Sequence, residues 1–91
     1  MIVKAILLRP EVALKVTWKH GILQDEISDA LVHDRPIFRK AGGNQYLAIG
    51  LSRSRHITIF FSYNKRTKEA EITTAYQSSK RQIRVYRKQG R

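Results

Sequence analysis

The spacing of apolar residues changes at Pro36, and this change limits the fold classes open to the chain. Before Pro36, the residues Ile27, Ala30 and Leu31 recur at the i, i+3 and i+4 positions that share one side of a helix. After it, apolar and polar residues alternate from His56 to Tyr63, which is the period of a half-buried strand. Helical segments followed by a run of consecutive strands are typical of the α+β class.

Two helices are predicted ahead of the run of strands that follows Pro36. The first covers Pro10 to His20, because proline suits the first helical position and Gly21 follows where a left-handed residue ends a helix. The second covers Ile22 to His33 and carries its acidic residues early, where the helix dipole favours anions. A short strand, Met1 to Leu8, precedes both helices and ends before Pro10, which has no N–H to donate.

The second half of the chain predicts three or four antiparallel strands and a last helix. The strand segments are residues 37–40, 45–51, 56–63 and 70–76, separated by turns rich in glycine or polar residues. Ser78 or Ser79 is suited to cap a helix over Lys80 to Lys88. At 91 residues there is room for one hydrophobic core, so residues 1–91 are predicted to form a single domain.

The basic charge is unevenly distributed. The chain has 18 Lys and Arg against seven Asp and Glu, a formal charge of +11 at pH 7. Five of the seven acidic residues fall within residues 11–34, whereas residues 35–68 hold eight basic residues, residues 76–91 hold six, and neither segment has an acid. An acid-poor basic surface indicates a polyanionic partner, and nucleic acid is the first candidate.

Several classes of site and location are disfavoured. There is no cysteine, and the three histidines stand in no metal-binding spacing, so we expect neither a metal site nor a cofactor. Gly42-Gly43-Asn44 lacks the frame of a phosphate-binding loop and is better explained as a hairpin turn. The apolar runs are far shorter than the roughly 20 residues of a membrane helix, and a cytoplasmic protein is expected.

Metal-free RNA cleavage needs a group that takes the 2′-hydroxyl proton, a group that protonates the leaving oxygen, and cations beside the phosphate. The candidates in this chain are Lys19, His20, Arg53, Arg55, His56, Tyr76, Ser78, Lys80 and Arg81. The same residues also have structural interpretations. Lys19 and His20 complement the carbonyl end of a helix, Tyr76 suits a strand core, and arginines in a turn are commonly solvated.

The order of several short motifs resembles a known family. These are Trp18-Lys19-His20-Gly21-Ile22, Glu26-Ile27, Ala30-Leu31, residues 45–50 (QYLAIG), 57–61 (ITIFF), 72–76 (ITTAY) and the helix 79–86 that ends in tyrosine. In this order and spacing they resemble the BrnT-like toxins of the RelE-like superfamily. The resemblance covers about residues 15–88 and implies a RelE-like α+β fold, with a small antiparallel sheet, two N-terminal helices and a C-terminal helix.

The resemblance also implies an activity and a partner. The resemblance implies a metal-independent ribonuclease that blocks translation and is neutralised by a cognate antitoxin. The family pattern then implies catalytic roles for Lys19, His20, Tyr76 and Tyr86. The residues expected to bind RNA are Arg53, Arg55, His56, Ser78, Lys80, Arg81 and Arg84.

One departure and two other function classes stay open at this point. Where many relatives have an arginine after the glycine, this chain has Leu51, so Arg53 or Arg55 replaces that cation or activity is weakened or lost. The same basic surface is consistent with a non-catalytic domain that binds RNA or the ribosome. It is also consistent with an interaction protein whose basic surface serves only an acidic partner.

Overall fold

The computed structural model describes residues 1–33 and 35–89. Its elements in chain order are β1 (Ala5–Leu7), α1 (Pro10–His20), α2 (Gln24–Val32), β2 (Ile37–Gly42), β3 (Gln45–Ser52), β4 (Arg55–Asn64), β5 (Glu69–Gln77) and α3 (Lys80–Lys88). The predicted α+β class is confirmed. Arg91, one of the six basic residues near the C-terminus, lies outside the described residues, as does Asp34 among the acids. Among the described residues, no helix is both long and apolar enough to cross a membrane.

The boundaries of α1 agree with the sequence prediction, whereas α2 is shorter than predicted. Gly21 adopts the left-handed conformation (φ 64°), and its N–H donates to the carbonyl oxygen of Thr17, which ends α1. Ile22 is only 1% exposed and Leu23 is extended (φ −90°, ψ 159°), so the link between the helices is an extended segment that places an apolar side chain in the core. Helix α2 therefore begins at Gln24 instead of Ile22.

The sheet has five strands in the order β1-β5-β4-β3-β2. Strands β2 to β5 form the predicted antiparallel meander. Strand β1 runs parallel to β5, with Ala5 opposite Glu69 and Leu7 opposite Glu71, so the sheet as a whole is mixed. The two helices between β1 and β2 carry the chain from the edge formed by β1 to the opposite edge, formed by β2.

The two faces of the sheet are covered differently. On one face, Ile57, Ile59 and Phe61 are fully buried in a core that includes residues of α1 and α2. On the other face, Tyr86 of α3 packs with Ile37 and Ile49 in a second, smaller cluster. The second face is called the α3 face below. Its central strands carry His56, Thr58, Phe60 and Tyr76, where Thr58 and Tyr76 are paired across β4 and β5.

Helix α2 lies very close to β3 at Gly50. A Cβ built on Gly50 would stand 1.9 Å from the carbonyl oxygen of Ala30, which is far inside van der Waals contact. Ala30 and Ala48, both fully buried, also have small side chains that allow this close approach. The small residues at these positions therefore fix how closely α2 can approach the sheet.

Candidate nucleic-acid interface

His20 and Tyr76 lie side by side, although they are far apart in the sequence. Their ring centroids are 6.0 Å apart and their planes are inclined at 57°. His20 is the last residue of α1, and Tyr76 stands near the end of β5, beyond the three residues of β5 that pair with β1. His20 and its neighbour Lys19 are exposed and Tyr76 is half-buried. The fold thus brings two of the predicted catalytic residues, His20 and Tyr76, together on the surface, and Lys19 precedes His20 in α1.

An aromatic surface continues from Tyr76 onto β4. The ring of Phe60 lies 6.2 Å from that of Tyr76 with planes inclined at 32°, and Phe60 is also half-buried. Half-exposed aromatic rings that lie near each other on a sheet surface are suited to stack on unpaired bases. Sequence reasoning missed Phe60, because only the register between β4 and β5 places it beside Tyr76.

Gln82 of α3 fixes the hydrogen bonding of the Tyr76 hydroxyl. The side-chain Oε1 of Gln82 accepts from the Ser79 backbone N–H (2.9 Å) and from the Thr58 hydroxyl (3.0 Å). These two donors settle which end of the amide is oxygen, so its Nε2 faces Tyr76 and donates to the phenol oxygen over 2.9 Å. Because the Tyr76 oxygen accepts this bond, its own proton remains available for another acceptor.

The two serines before α3 have different roles. Ser79 is the N-cap, and its hydroxyl accepts from the Gln82 backbone N–H (3.2 Å), which completes a capping box with the Gln82 side chain. Ser78 is only 8% exposed, and its hydroxyl lies 2.7 Å from that of Thr58. Since Thr58 gives its proton to Gln82, Ser78 is the donor to Thr58. The structure thus gives Ser78 an internal partner, and its contact with RNA stays a prediction.

The pattern Ser79-x-x-Gln82 is the signal by which Gln82 could have been found. A serine followed three residues later by glutamine is typical of a capping box at the start of a helix. Its second function, the bond to Tyr76, depends on the position of α3 against β5. No sequence pattern indicates that position.

Exposed cations border the site along α3. Lys80 and Arg81 occupy the first turn of the helix, Arg84 follows one turn later, and the first turn has no acidic residue. Among the described residues, none of these three forms an ion pair. Cations in the first turn are unfavourable to the helix dipole, and a bound phosphate would offset that cost. Gln82 joins this turn to Tyr76, so these cations and Lys19 come from the two elements that contact Tyr76.

Arg55 forms hydrogen bonds within the protein. Its guanidinium lies 2.7 and 2.8 Å from the two carboxylate oxygens of Glu26 and also donates to the carbonyl oxygen of Gly21 (3.0 Å). Glu26 is only 6% exposed, and it also accepts from the Leu23 backbone N–H. Arg55 therefore neutralises a buried carboxylate and holds the link that follows His20. Its predicted contact with phosphate stays a prediction.

Arg53 lies at the tip of the hairpin between β3 and β4. Arg53 and Ser54 both have positive φ (52° and 71°), as a two-residue hairpin turn requires. The Arg53 guanidinium pairs with Asp25 of α2 over 3.2 Å, and both side chains are largely exposed. Such an exposed pair is weak, so Arg53 is able to exchange its partner for a phosphate.

His56 and Tyr86 form a separate pair on the α3 face. Their rings are in an edge contact with centroids 5.3 Å apart. Burial and, to a lesser extent, the nearby charge of Arg87 lower the pKa of His56. Tyr86 is 2% exposed and belongs to the second core cluster. The structure thus places Tyr86 below the surface, and its predicted catalytic role stays a prediction.

Two other kinds of site are relevant to the described surface, a metal site and a second cleft. In residues 1–33 and 35–89, no three His, Asp or Glu side chains come together as metal ligands would. A cleft of about 610 Å³ lies between the N-terminal residues, the end of α2 and β2. Among the described residues, its lining includes Arg35 and Arg39 but no histidine, tyrosine or carboxylate side chain. That described lining has no counterpart of the His20–Tyr76 pair.

Comparison with known proteins agrees with this architecture. No protein-family model matches the chain, and no curated protein matches it significantly in sequence. Among solved structures, the crystal structure of the Brucella abortus ribonuclease toxin BrnT superposes with a TM-score of 0.67, covering 84% of this chain and 97% of that chain. The chain has the fold of BrnT. At 14% identity the likeness establishes the fold alone, and it confirms at that level the resemblance noted in the sequence.

Proposed function

We propose that the chain is a metal-independent endoribonuclease and the toxin of a toxin–antitoxin pair. The observation that carries the proposal is the pairing of His20 with Tyr76 on a surface bordered by exposed cations. Support also comes from the fold, which is shared with a protein described as a ribonuclease toxin. The substrate is single-stranded RNA lying across the α3 face.

The proposed reaction is internal attack by the ribose 2′-hydroxyl on the adjacent phosphorus. His20 accepts the 2′-hydroxyl proton as the new O2′–P bond forms. The P–O5′ bond breaks, and Tyr76 donates its proton to the leaving 5′-oxygen. The products are a 2′,3′-cyclic phosphate and a 5′-hydroxyl. The bond from Gln82 suits Tyr76 to this acid role, because it occupies the phenol oxygen and leaves the proton free.

The cations act on the phosphate. Lys19 contacts the RNA backbone beside His20, and Lys80 and Arg81 contact it at the start of α3. Charge beside the phosphorane stabilises the transition state more than it stabilises the substrate. We assign these contacts ahead of Arg55, because Glu26 already engages the Arg55 guanidinium.

The proposed partner is a cognate antitoxin with an acidic surface. A charge of +11 on a small domain attracts a complementary protein and speeds its association. Such a protein would mask the basic surface and so prevent RNA binding. Action in the cytoplasm, where messenger and ribosomal RNA are found, belongs to the same proposal.

One observation favours a second function. The Phe60–Tyr76 aromatic surface, bordered by cations, would bind single-stranded RNA without any chemistry. On this alternative the chain is a non-catalytic RNA- or ribosome-binding domain, and His20 serves only as a contact.

The experiment that separates these functions is incubation of the purified chain with RNA, with and without EDTA, followed by analysis of the product ends. We expect cleavage that EDTA does not affect and ends that carry 2′,3′-cyclic phosphate. Expression of the chain with and without the gene next to its own, the proposed source of the antitoxin, then tests that partner. RNA binding without cleavage would favour the second function, and unimpaired growth on overexpression alone would count against a toxin.

A further inference from the structure

An apolar surface lies on the outer side of α1. Trp18 is 83% exposed and Leu14, one turn before it, is 60% exposed. With Pro10, Ala13 and Thr17 they border a shallow cleft of about 390 Å³. These five residues are called the α1 outer surface below.

The α1 outer surface takes no part in forming the core. The side of α1 that packs on the sheet carries Val16, which is 1% exposed, and Val12. In a helix, Leu14 lies two residues from both valines and so points to the opposite side. A leucine and a tryptophan exposed together on one side of a helix are unfavourable in water, and such patches mark interaction sites. Tryptophan is also enriched among the residues that dominate binding energy.

The α1 outer surface is also separate from the His20–Tyr76 site. Trp18 and His20 are two positions apart on α1, which places them about 200° apart around the helix axis. The side chain of Leu14 is aliphatic and cannot stack on a base as an aromatic ring does. A protein partner therefore fits this surface better than RNA does.

Charge identifies the kind of protein. Lys15 and Lys19 are both exposed and border the surface on one side, because each directly follows one of its apolar residues, Leu14 and Trp18. Glu11 is the single acid of α1. Two copies of this chain would each bring a charge of +11 and the same lysines, so self-association is opposed by repulsion. A partner with acidic residues beside its apolar ones gains from both contacts.

We propose that the α1 outer surface binds an acidic amphipathic helix of another protein. Apolar residues of that helix, spaced one turn apart, contact Leu14 and Trp18, and its Asp or Glu residues pair with Lys15 and Lys19. The proposal concerns binding only and does not depend on ribonuclease activity.

Trp18 is the single tryptophan of the chain, so its fluorescence reports directly on this surface. The probe is a helical peptide of about 18 residues, long enough to hold a helix, with leucines one turn apart, flanking glutamates and no aromatic residue. We expect saturable binding with a shift of the emission to shorter wavelength. A peptide with lysine in place of each glutamate should bind at least about 10-fold more weakly.

Two variants complete the test. Leu14→Gln changes an exposed position that the fold does not need. It should weaken binding of the glutamate peptide by about 10-fold or more. Lys15→Glu combined with Lys19→Glu should reverse the preference between the two peptides. Equal binding of both peptides, no effect of Leu14→Gln, or no emission shift with either peptide would overturn the proposal. So would a shift produced by RNA that Leu14→Gln abolishes, or a shift produced by raising the protein concentration alone.

Discussion

The side-chain amide of Gln82 donates a hydrogen bond to the phenol oxygen of Tyr76 over 2.9 Å, while its oxygen accepts from Thr58 and from the Ser79 backbone. The bond joins the first turn of α3 to the end of β5. It also fixes the direction in which Tyr76 can give its proton, which is the property that a general acid needs. Tyr76 in turn contacts His20, so one chain of contacts links α3, β5 and α1.

Replacing Gln82 by glutamate should lower kcat by about 10-fold or more with little change in KM. Glutamate keeps an oxygen for the Ser79 N–H and so preserves the capping box, but it has no N–H to donate and would itself accept the Tyr76 proton. Steady-state kinetics on a short RNA would measure the change, with circular dichroism to confirm the fold. In a Tyr76→Phe background the same replacement should have no further effect, because it acts through the hydroxyl. Additive losses would show that Gln82 acts independently of Tyr76.

Replacing His20 by alanine should lower the cleavage rate by roughly 10²-fold or more, with RNA affinity changed much less, because a general base acts mainly in the transition state. Rate and affinity are to be measured on the same RNA. His33, an exposed histidine just after α2, provides the matched control, and His33→Ala should keep its activity. A His20→Ala variant with full activity would leave His20 as no more than a helix-end residue.

RNA binding should weaken steeply with salt, because phosphate contacts release counterions. Removing one side chain that neutralises a phosphate should reduce the log–log slope by about 0.7 on single-stranded RNA. Lys80→Gln and Arg81→Gln are therefore each expected to flatten the slope by about that amount. The control is Lys65→Gln, which removes an exposed charge just after Asn64, the last residue of β4, seven positions along the chain from Thr58, and should leave the slope unchanged. If Lys65→Gln changed the slope as much as Lys80→Gln does, the attraction would be diffuse, without a defined RNA path.

The sequence is sufficient to predict most elements, and it singles out His20 and Tyr76, which the fold brings together. The alternation around Ile59 and the glycine after His20 are local signals, and both were confirmed. The parallel placement of β1 beside β5 is a contact between the two ends of the chain, which no local pattern specifies. The same applies to Arg55, whose attachment to Glu26 becomes visible only when α2 lies against the β3–β4 hairpin.

Unfolding should become easier as pH falls, in part through His56. Burial lowers the pKa of His56 in the folded protein, so the unfolded chain takes up a proton first as pH falls. Its stabilising effect is complete above the unfolded pKa of about 6.5 and is lost as pH falls through the lower, folded pKa. Urea unfolding of His56→Gln should therefore show a flatter decline in stability below about pH 6.5 than the parent does. An identical slope in the two proteins would mean that His56 does not contribute.

Replacing Gly50 by alanine should destabilise the fold by about 1–3 kcal/mol or more, because the new methyl group meets the Ala30 carbonyl oxygen and α2 must move away from β3. Thermal or urea unfolding measures the loss. Ala41→Gly, at an exposed position in the β2 hairpin, is a control for a small-residue change that meets no backbone. A Gly50→Ala protein as stable as the parent would contradict the close approach of α2 to the sheet.

The most direct test of the proposed activity compares two RNA oligonucleotides that differ by one oxygen atom, the 2′-hydroxyl at the cleaved nucleotide. The purified chain is expected to cleave the ribose form to a 2′,3′-cyclic phosphate. The 2′-deoxy form should be bound with an affinity within about twofold and should not be cleaved, because the phosphate contacts remain while the nucleophile is absent. Cleavage of both forms at equal rates, or tight binding of the ribose form with no cleavage, would contradict the proposed activity.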